Sequence, residues 1–432
     1  STAVAEWHTG TPRCIGVPSH PASSLKFNRV ARQSRARGWP RLFLLTALIP
    51  GHLFSWGIEW AFAVATTVLG AVTFHRMIRR HPFGACNGLW MLVLLTSVSL
   101  VGYIMTLVLA NIPTGIRDAV EIIKPAMVFF SCAYVLSVGV PTVDELRGAC
   151  FAVLAFGVMC ALILILEIPV LSAAVDAVYG TTKTAFSAYY VRLSIPFENP
   201  NFFGLFAVLS LMLALNFKAQ PDVKLVVLSL IAVGLSGSRT AWLTSSLILF
   251  VFVLGVARGL LMASRRLTGF HLFVGVALPV IIVAMFPLAV ESVQRVEDFL
   301  NLIIEFDLAA DESYAERVAL REMTTALIRE RPIFGWGAMK YTSVDIIDNQ
   351  YYSLLLRFGV PTTILLALAA LAGAASQVRS ARSGSRRNAL ALMWLILAAW
   401  LWNGTFLENV RLAMLITTFF SVASARRADT AN

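Results

Sequence analysis

Long apolar runs alternate with short basic segments along most of the chain, and this pattern predicts helices that cross a membrane. Most runs approach the roughly 20 residues that a helix needs to cross a hydrocarbon core of about 30 Å, and they lack the alternation of barrel strands. We therefore expect an all-α, polytopic integral membrane protein with about 12 transmembrane helices. The predicted spans are 42–56, 58–75, 89–111, 119–139, 148–168, 201–217, 225–235, 241–257, 270–290, 353–376, 389–407 and 411–424.

The composition and the distribution of charge favour the same topology. The 432 residues are 58% hydrophobic and 14% charged, and much of the net charge of +11 lies in short segments between apolar runs, as the positive-inside rule requires. The charge therefore does not indicate nucleic acid binding. The rule predicts basic cytoplasmic tails at residues 1–40 and 425–432, helices one to nine within 41–290 with an outer loop at 169–200, and helices ten to twelve within 353–424.

A large polar segment, residues 291–352, interrupts the pattern on the outer side. It carries twelve acidic and six basic residues. Ser313 and Glu316 form a capping-box pattern at the start of a helix that Pro332 would end. Gly335-Trp336-Gly337 then predicts a turn that leads back to the membrane. We expect this segment to form a large outer loop whose residues could carry chemistry.

Four arginines, Arg192, Arg239, Arg317 and Arg411, are predicted on the outer side, where the positive-inside rule does not account for them. Any one of them could extend to lipid headgroups or pair with a carboxylate such as Glu408. Several guanidinium groups on one side of a membrane instead suggest a bound anion, because the fork of arginine donors suits phosphate oxygens.

Two carboxylates are candidates for a general base. Asp348 lies where the outer segment meets helix ten, and it could either cap that helix or accept a proton from a sugar hydroxyl. Glu198 is the alternative candidate for the base. It could instead cap helix six, although Asn199 or Asn201 could provide that cap equally well. Both interpretations stay open for each residue.

Aromatic residues crowd the outer side, and an interfacial belt explains most of them. Stacking on sugar rings is the alternative role, and Trp336 between its two glycines is its best candidate. The aromatic residues concerned are Trp336, Tyr189, Tyr190, Tyr314, Tyr341, Tyr351 and Tyr352. The chain shows no His-x-x-x-His pair, acidic triplet, Walker loop or dinucleotide loop, so we expect no metal and no cofactor.

Several short motifs resemble, in order and spacing, the O-antigen ligase and polysaccharide-repeat polymerase superfamily. The similarity covers roughly residues 190–360, and its most specific part is Ser-Arg-Thr at 238–240. The motifs are Asn199-Pro200-Asn201-Phe202-Phe203-Gly204, Leu235-Ser236-Gly237-Ser238-Arg239-Thr240-Ala241, Gly335-Trp336-Gly337, Asp348-Asn349-Gln350-Tyr351 and Phe358-Gly359.

This resemblance implies a GT-C-like, multi-pass enzyme of the bacterial inner membrane that transfers a glycan from undecaprenyl diphosphate at the periplasmic face without a metal. Residues 291–352 would then be its periplasmic catalytic loop. Ligases of the superfamily usually carry His-Asn where this chain has Asp348-Asn349, which favours a Wzy-like polymerase. The implied partners are lipid-linked donor and acceptor glycans and membrane lipids, with a chain-length regulator and a flippase as candidates. The expected catalytic residues are Asp348, Arg239 and Arg317, and the expected substrate-binding residues are Arg192, Glu198, Asn201, Arg321, Trp336, Asn349, Tyr351, Tyr352 and Arg411.

Two other functions fit the same sequence. A ligase would move a finished glycan to lipid A-core or to a protein with the same chemistry. A flippase or transporter would bind the diphosphate without chemistry, although the chain shows no internal repeat of the kind found in many transporters.

Overall fold

The computed structural model describes residues 39–50, 58–80, 97, 100–101, 104, 116–179, 186–187, 190–191, 193–197, 199–216, 221–262, 312–337, 349–381, 384–401 and 409–424. In these ranges the regular secondary structure is helical apart from one antiparallel ribbon in which Phe186 pairs with Val191. The elements are α1 (Trp39–Leu48), α2 (Ile58–Arg80), α3 (Ile116–Val138), α4 (Val143–Ile165), α5 (Pro169–Tyr179), β1 (Phe186–Ser187), β2 (Tyr190–Val191), α6 (Pro200–Asn216), α7 (Val223–Ser236), α8 (Arg239–Met262), α9 (Glu312–Glu330), α10 (Gln350–Ser380), α11 (Gly384–Trp400) and α12 (Val410–Ser424).

The apolar helices of this bundle fit a membrane protein. Among the described residues, α4 and α10 are long and apolar enough to cross a membrane, and the other apolar helices have shorter apolar segments of 10–17 residues. The expected total of about 12 spans is not confirmed, because the predicted span 270–290 and most of the predicted span 89–111 lie outside the described residues. The predicted domain boundaries stay predictions for the same reason.

Helix α6 forms the centre of the main hydrophobic core. Every side chain from Phe203 to Leu215 is buried, as expected for a helix that is apolar on all sides. Pro200 occupies its first position, where the missing N–H costs nothing. Helices α4, α7, α8 and α11 pack around it. The core therefore surrounds the helix that begins with the Asn-Pro-Asn motif.

A second cluster holds α2, α3 and α12 together. A Cβ atom added to Gly70 of α2 would collide with the backbone carbonyl of Phe130 in α3, so glycine permits the close approach of the two backbones. Thr66 Oγ1 and Ser131 Oγ form a buried hydrogen bond of 2.9 Å across the same interface. Met127 of α3 and Met414 of α12 pack in the same cluster.

Helices α4 and α5 differ from the expected elements. α4 begins at Val143 rather than at 148, because Thr142 and Glu145 form a complete capping box. Arg147, which falls between the predicted spans 119–139 and 148–168, is therefore inside the helix and 6% exposed. α5 lies within the expected outer loop 169–200, so that segment is partly helical.

Helix α10 is longer than the predicted span 353–376, and it is broken. Gly359 has φ 74° and ψ 174°, outside the helical region, and Pro361 follows. Pro361 has no backbone N–H, and Val360 N donates to Pro332 O at 2.7 Å instead of continuing the helix. The break divides α10 into an outer half before Gly359, named for the side of the membrane on which the sequence predicts it, and a long half after it.

Candidate active site

The turn between α7 and α8 presents the Ser-Arg-Thr motif. Gly237 has left-handed φ 56° and ends α7, which glycine permits without strain. Ser236 Oγ accepts from Ser238 N at 3.2 Å, and Ser238 Oγ accepts from Ala241 N at 3.4 Å. Arg239 is thereby fixed as the first residue of α8. Its side chain lies outside the described part of the structure.

The Asn-Pro-Asn helix packs directly against this turn. A Cβ atom on Gly204 of α6 would lie 3.0 Å from Ala241 Cβ and 3.2 Å from Ser236 Oγ. Two motifs that are about thirty residues apart in the sequence are therefore adjacent in the fold. Glycine at 204 makes this approach possible, because a larger residue would push the turn away.

Asn199 caps α6. Its Oδ1 accepts from Asn201 N at 2.8 Å, and its backbone oxygen accepts from Phe202 N at 2.9 Å. Asn201, a predicted substrate ligand, is partly buried in the first turn. Glu198 lies outside the described residues, so its predicted role stays a prediction; the cap that it could have provided comes from Asn199.

The Gly-Trp-Gly turn is bonded to the outer half of α10. Trp336 N donates to Leu356 O at 2.7 Å and Gly337 N donates to Arg357 O at 3.0 Å. Both carbonyls are available because the break at Gly359 and Pro361 removes their usual helical donors. Gly335 has φ 68°, and a Cβ atom there would lie 2.6 Å from Arg357 O.

The Trp336 side chain is fixed by α9 and by Arg331. Its Nε1 donates to Leu327 O near the end of α9 at 2.7 Å. The Arg331 guanidinium lies 4.3 Å from the ring centroid, a cation–π distance. One face of the ring is thus covered by Arg331, and the predicted stacking of a sugar on Trp336 stays a prediction for the opposite face.

Helix α9 carries Arg317 and Arg321 and ends at Glu330, just before the predicted stop at Arg331-Pro332. Arg321 is partly buried. The Arg317 side chain, and the Ser313 and Glu316 side chains expected to cap the helix, lie outside the described residues. Arg192 and Asp348 lie outside them too, so the expected convergence of the arginines on Asp348 stays a prediction.

The outer end of α10 contains two buried amides with unused hydrogen-bonding atoms. Asn349 caps the helix, with Oδ1 accepting from Tyr351 N at 2.9 Å and Tyr352 N at 3.3 Å. Asn349 is 5% exposed and Gln350 is 2% exposed. Asn349 Nδ2 and Gln350 Oε1 have no hydrogen-bond partner within the described chain. Buried polar atoms are usually paired, so these two atoms require an explanation.

The end of α11 holds this outer end of α10 in place. Gln350 N donates to Leu401 O at 2.9 Å, and Tyr351 Oη donates to Ala398 O at 2.7 Å. The hydroxyl of Tyr351, a predicted substrate ligand, thus has a structural partner. The sequence analysis did not select Gln350 as a substrate-binding residue. Its position between Asn349 and Tyr351 in the Asp348-Asn349-Gln350-Tyr351 motif was the signal that could have identified it.

Arg411 lies in the interior instead of extending to lipid headgroups. It is 2% exposed and donates to Thr46 O at 3.1 Å, Ala47 O at 3.1 Å and Pro196 O at 3.2 Å. Two of these acceptors are carbonyls at the carboxyl end of α1, which have no donor within their own helix, and a cation is favourable at this end. Arg411 therefore joins α12, α1 and the segment 193–197. Its predicted contact with substrate stays a prediction, and Glu408 lies outside the described residues.

The chain is similar to one known family. Residues 225–367 match the family model described as O-antigen ligase. The match begins in α7 and ends in α10, so it includes Arg239, Arg317 and Asp348, and it supports the superfamily resemblance over this part of the chain. A search of curated proteins gives no match.

Proposed function

We propose that the chain is a polysaccharide polymerase that joins undecaprenyl-diphosphate-linked oligosaccharide repeats at the periplasmic face of a bacterial inner membrane. The main support is the match of residues 225–367 to the O-antigen ligase family model, since this range holds the proposed catalytic residues. Aspartate at 348, where ligases of the superfamily usually carry histidine, favours polymer extension over ligation.

In the proposed reaction a hydroxyl oxygen of the acceptor repeat attacks the anomeric carbon of the donor glycan. A new C–O bond forms, the bond to the lipid diphosphate breaks, and Asp348 takes the hydroxyl proton. The departing diphosphate gains negative charge, which Arg239 and Arg317 stabilise more strongly in the transition state than in the substrate. One such donor is worth about 2.7–4 kcal/mol in comparable sites.

The buried amides at the outer end of α10 support a sugar site beside Asp348. Within the described chain, Asn349 Nδ2 has no acceptor and Gln350 Oε1 has no donor, and sugar hydroxyls both accept and donate hydrogen bonds. We assign these amides to the acceptor glycan, because Asn349 directly follows the proposed base. Tyr352 and the face of Trp336 opposite Arg331 are further candidates for the same glycan.

Substitution of the arginines tests the chemistry. We expect Arg239→Ala and Arg317→Ala each to lower polymer formation by about 100-fold or more, with lipid-linked repeats accumulating. Arg329→Ala is the matched control, because Arg329 is exposed on α9, and it should leave polymer at the wild-type level. Wild-type polymer in both site variants would refute the assignment.

The family description, O-antigen ligase, supports a second candidate, a ligase that transfers a finished glycan to lipid A-core. A protein glycan ligase would use the same chemistry with a different acceptor. Glycan analysis of a deletion strain separates the two functions. A single repeat on the surface or on lipid indicates a polymerase, whereas full-length polymer retained on lipid indicates a ligase.

Purified protein that lengthens lipid-linked repeats in detergent, without a gradient or nucleotide, would exclude a flippase or transporter.

A further inference from the structure

The turn between α9 and the Gly-Trp-Gly motif exposes two large apolar side chains. Ile333 is 58% exposed and Phe334 is 56% exposed, and Pro332 before them is also exposed. The residues that follow turn inward, since Gly335 is buried against α10. Single exposed apolar residues are common on proteins. Whether this pair has a role therefore depends on its position relative to the membrane.

The break in α10 sets that position. The long half of α10 after the break, residues 360–380, contains about 21 residues and is about 31 Å long at about 1.5 Å per residue. This length matches a hydrocarbon core of about 30 Å. Large apolar side chains along it are 53–66% exposed, as lipid contact requires, namely Ile364, Leu365, Leu368 and Leu371. Gly359 therefore lies near the outer edge of the hydrocarbon core.

The charges of α10 agree with this placement. Arg379 lies in the last turn, at the predicted cytoplasmic end. Arg357 lies just before the break, so a boundary at Gly359 keeps its guanidinium in the polar interface, where a charge costs far less than in hydrocarbon. Placing all of α10 inside the membrane would instead bury Arg357 at depth.

Backbone contacts hold the apolar turn at the same level as the break. Val360 N donates to Pro332 O at 2.7 Å, and a Cβ atom on Gly359 would collide with the Ile333 carbonyl. Ile333 and Phe334 are therefore next to the membrane boundary, while their side chains point away from the described protein interior. Trp336, beside them, is of the residue type enriched at this depth.

We propose that Ile333 and Phe334 enter the interface of the outer leaflet and anchor α9 to the bilayer surface. Trp336 Nε1 bonds the turn to Leu327 of α9, so the anchor sets the height of the helix that carries Arg317 and Arg321. The occupant of this apolar surface is lipid. The consequence for catalysis rests on the proposed function: a lipid-borne diphosphate lies at the bilayer surface, and the anchor holds the arginines at that depth.

Spin labels on the full-length protein in lipid vesicles test the anchor directly. Labels are placed at Phe334→Cys, Glu330→Cys and Leu371→Cys after the five native cysteines are replaced by alanine. We expect the Phe334 label to collide with lipid-soluble oxygen more than with a water-soluble nickel chelate, as at Leu371. The exposed Glu330 position, four residues earlier, should show the reverse.

The other outcomes overturn the proposal. A Phe334 label as accessible to nickel as the Glu330 label would place the turn in water. A Phe334 label protected from both reagents would mean that protein, such as a second copy of this chain, covers the turn. If the cysteine-free protein does not fold, the tryptophan fluorescence of Phe334→Trp replaces the label measurement. Lipids brominated near the headgroup should quench the fluorescence of this variant more than that of the wild-type protein. No extra quenching would refute the anchor.

Transfer activity then tests the consequence. We expect Phe334→Asp to lower glycan transfer by about tenfold, and Phe334→Leu, which keeps an apolar side chain, to retain it. If the Phe334 label lies in lipid but Phe334→Asp has unchanged transfer activity, the catalytic consequence is refuted while the membrane anchor is still supported. Absence of transfer by the wild-type protein would refute the proposed function, and the label measurement would still decide the anchor.

Discussion

Two regions of the bundle use buried polar groups in opposite ways. At Arg411 and Arg147, buried guanidinium groups donate to carbonyls at the ends of helices, so polar atoms on both sides are paired. At the outer end of α10, Asn349 and Gln350 are equally buried, yet each keeps one atom that lacks a partner within the described chain. The first arrangement stabilises the fold, and the second costs stability, as the binding site that we propose would. Stability and activity should therefore respond differently to mutations in the two regions.

The largest expected effect is at Arg411. Replacing it by alanine removes three hydrogen bonds and leaves carbonyls of Thr46, Ala47 and Pro196 without this donor. We expect a loss of about 3 kcal/mol or more of stability, measured by thermal unfolding in detergent and by the amount of folded protein in membranes. Arg411→Lys should lose less, because it keeps the charge. A stable Arg411→Ala protein with impaired transfer would instead identify Arg411 as a substrate ligand.

Arg147 should show the same behaviour with a smaller effect. Its guanidinium donates to Leu213 O at 3.1 Å and Ala214 O at 2.8 Å, in the last turn of α6. We expect Arg147→Ala to cost about 2 kcal/mol in the same unfolding measurement. The exposed Arg329→Ala should stay within about 0.5 kcal/mol of wild type. An Arg147→Ala change as small as that control would contradict the capping role.

Asn349 allows its two functions to be separated. Asn349→Ala removes the cap of α10 and should cost about 1 kcal/mol of stability. Asn349→Ser keeps a capping oxygen but has no Nδ2, so stability should be nearly retained while glycan transfer falls. Unfolding and transfer are measured for both variants. Full transfer by Asn349→Ser would show that Nδ2 does not bind substrate.

Gln350 gives the smallest expected change in stability and the sharpest contrast with Arg411. Gln350→Leu removes a buried acceptor that has no partner in the described structure, so we expect stability to be unchanged within about 0.5 kcal/mol or raised. Transfer should fall by about tenfold if Oε1 accepts a hydrogen bond from the acceptor glycan. Destabilisation by more than about 1 kcal/mol would show that this side chain supports the fold instead.

Local sequence signals predicted the elements that depend on local chemistry. The apolar run of α6, the interruption between the spans 225–235 and 241–257, and the stop of α9 before Pro332 were predicted correctly, because periodicity, glycine and proline act within a few residues. The early start of α4 also had a local signal in Thr142 and Glu145. Gly359 and Pro361 were the corresponding signal for the break in α10, which the apolar run on both sides concealed.

Interactions between distant residues could not be predicted in the same way. Arg147 binds carbonyls 66 and 67 residues away, and Arg411 binds carbonyls 215 to 365 residues away. Their acceptors are backbone atoms, which every residue possesses, so no residue type in the sequence marks them. The proposed catalytic arginines have a chemical signal in their residue type and motif, but their relative positions are likewise a matter of tertiary structure.

The bond from Arg411 to Pro196 has a consequence for biogenesis. The segment 193–197 is almost completely buried, yet one of the groups that hold it belongs to α12, which the ribosome makes 215 residues later. A nascent chain released before α12 would have its earlier helices inserted but would lack this brace beside Arg192. The segment 193–197 therefore reaches its final packing only after α12 has been made, and premature termination near the carboxyl end would yield inserted but immature protein.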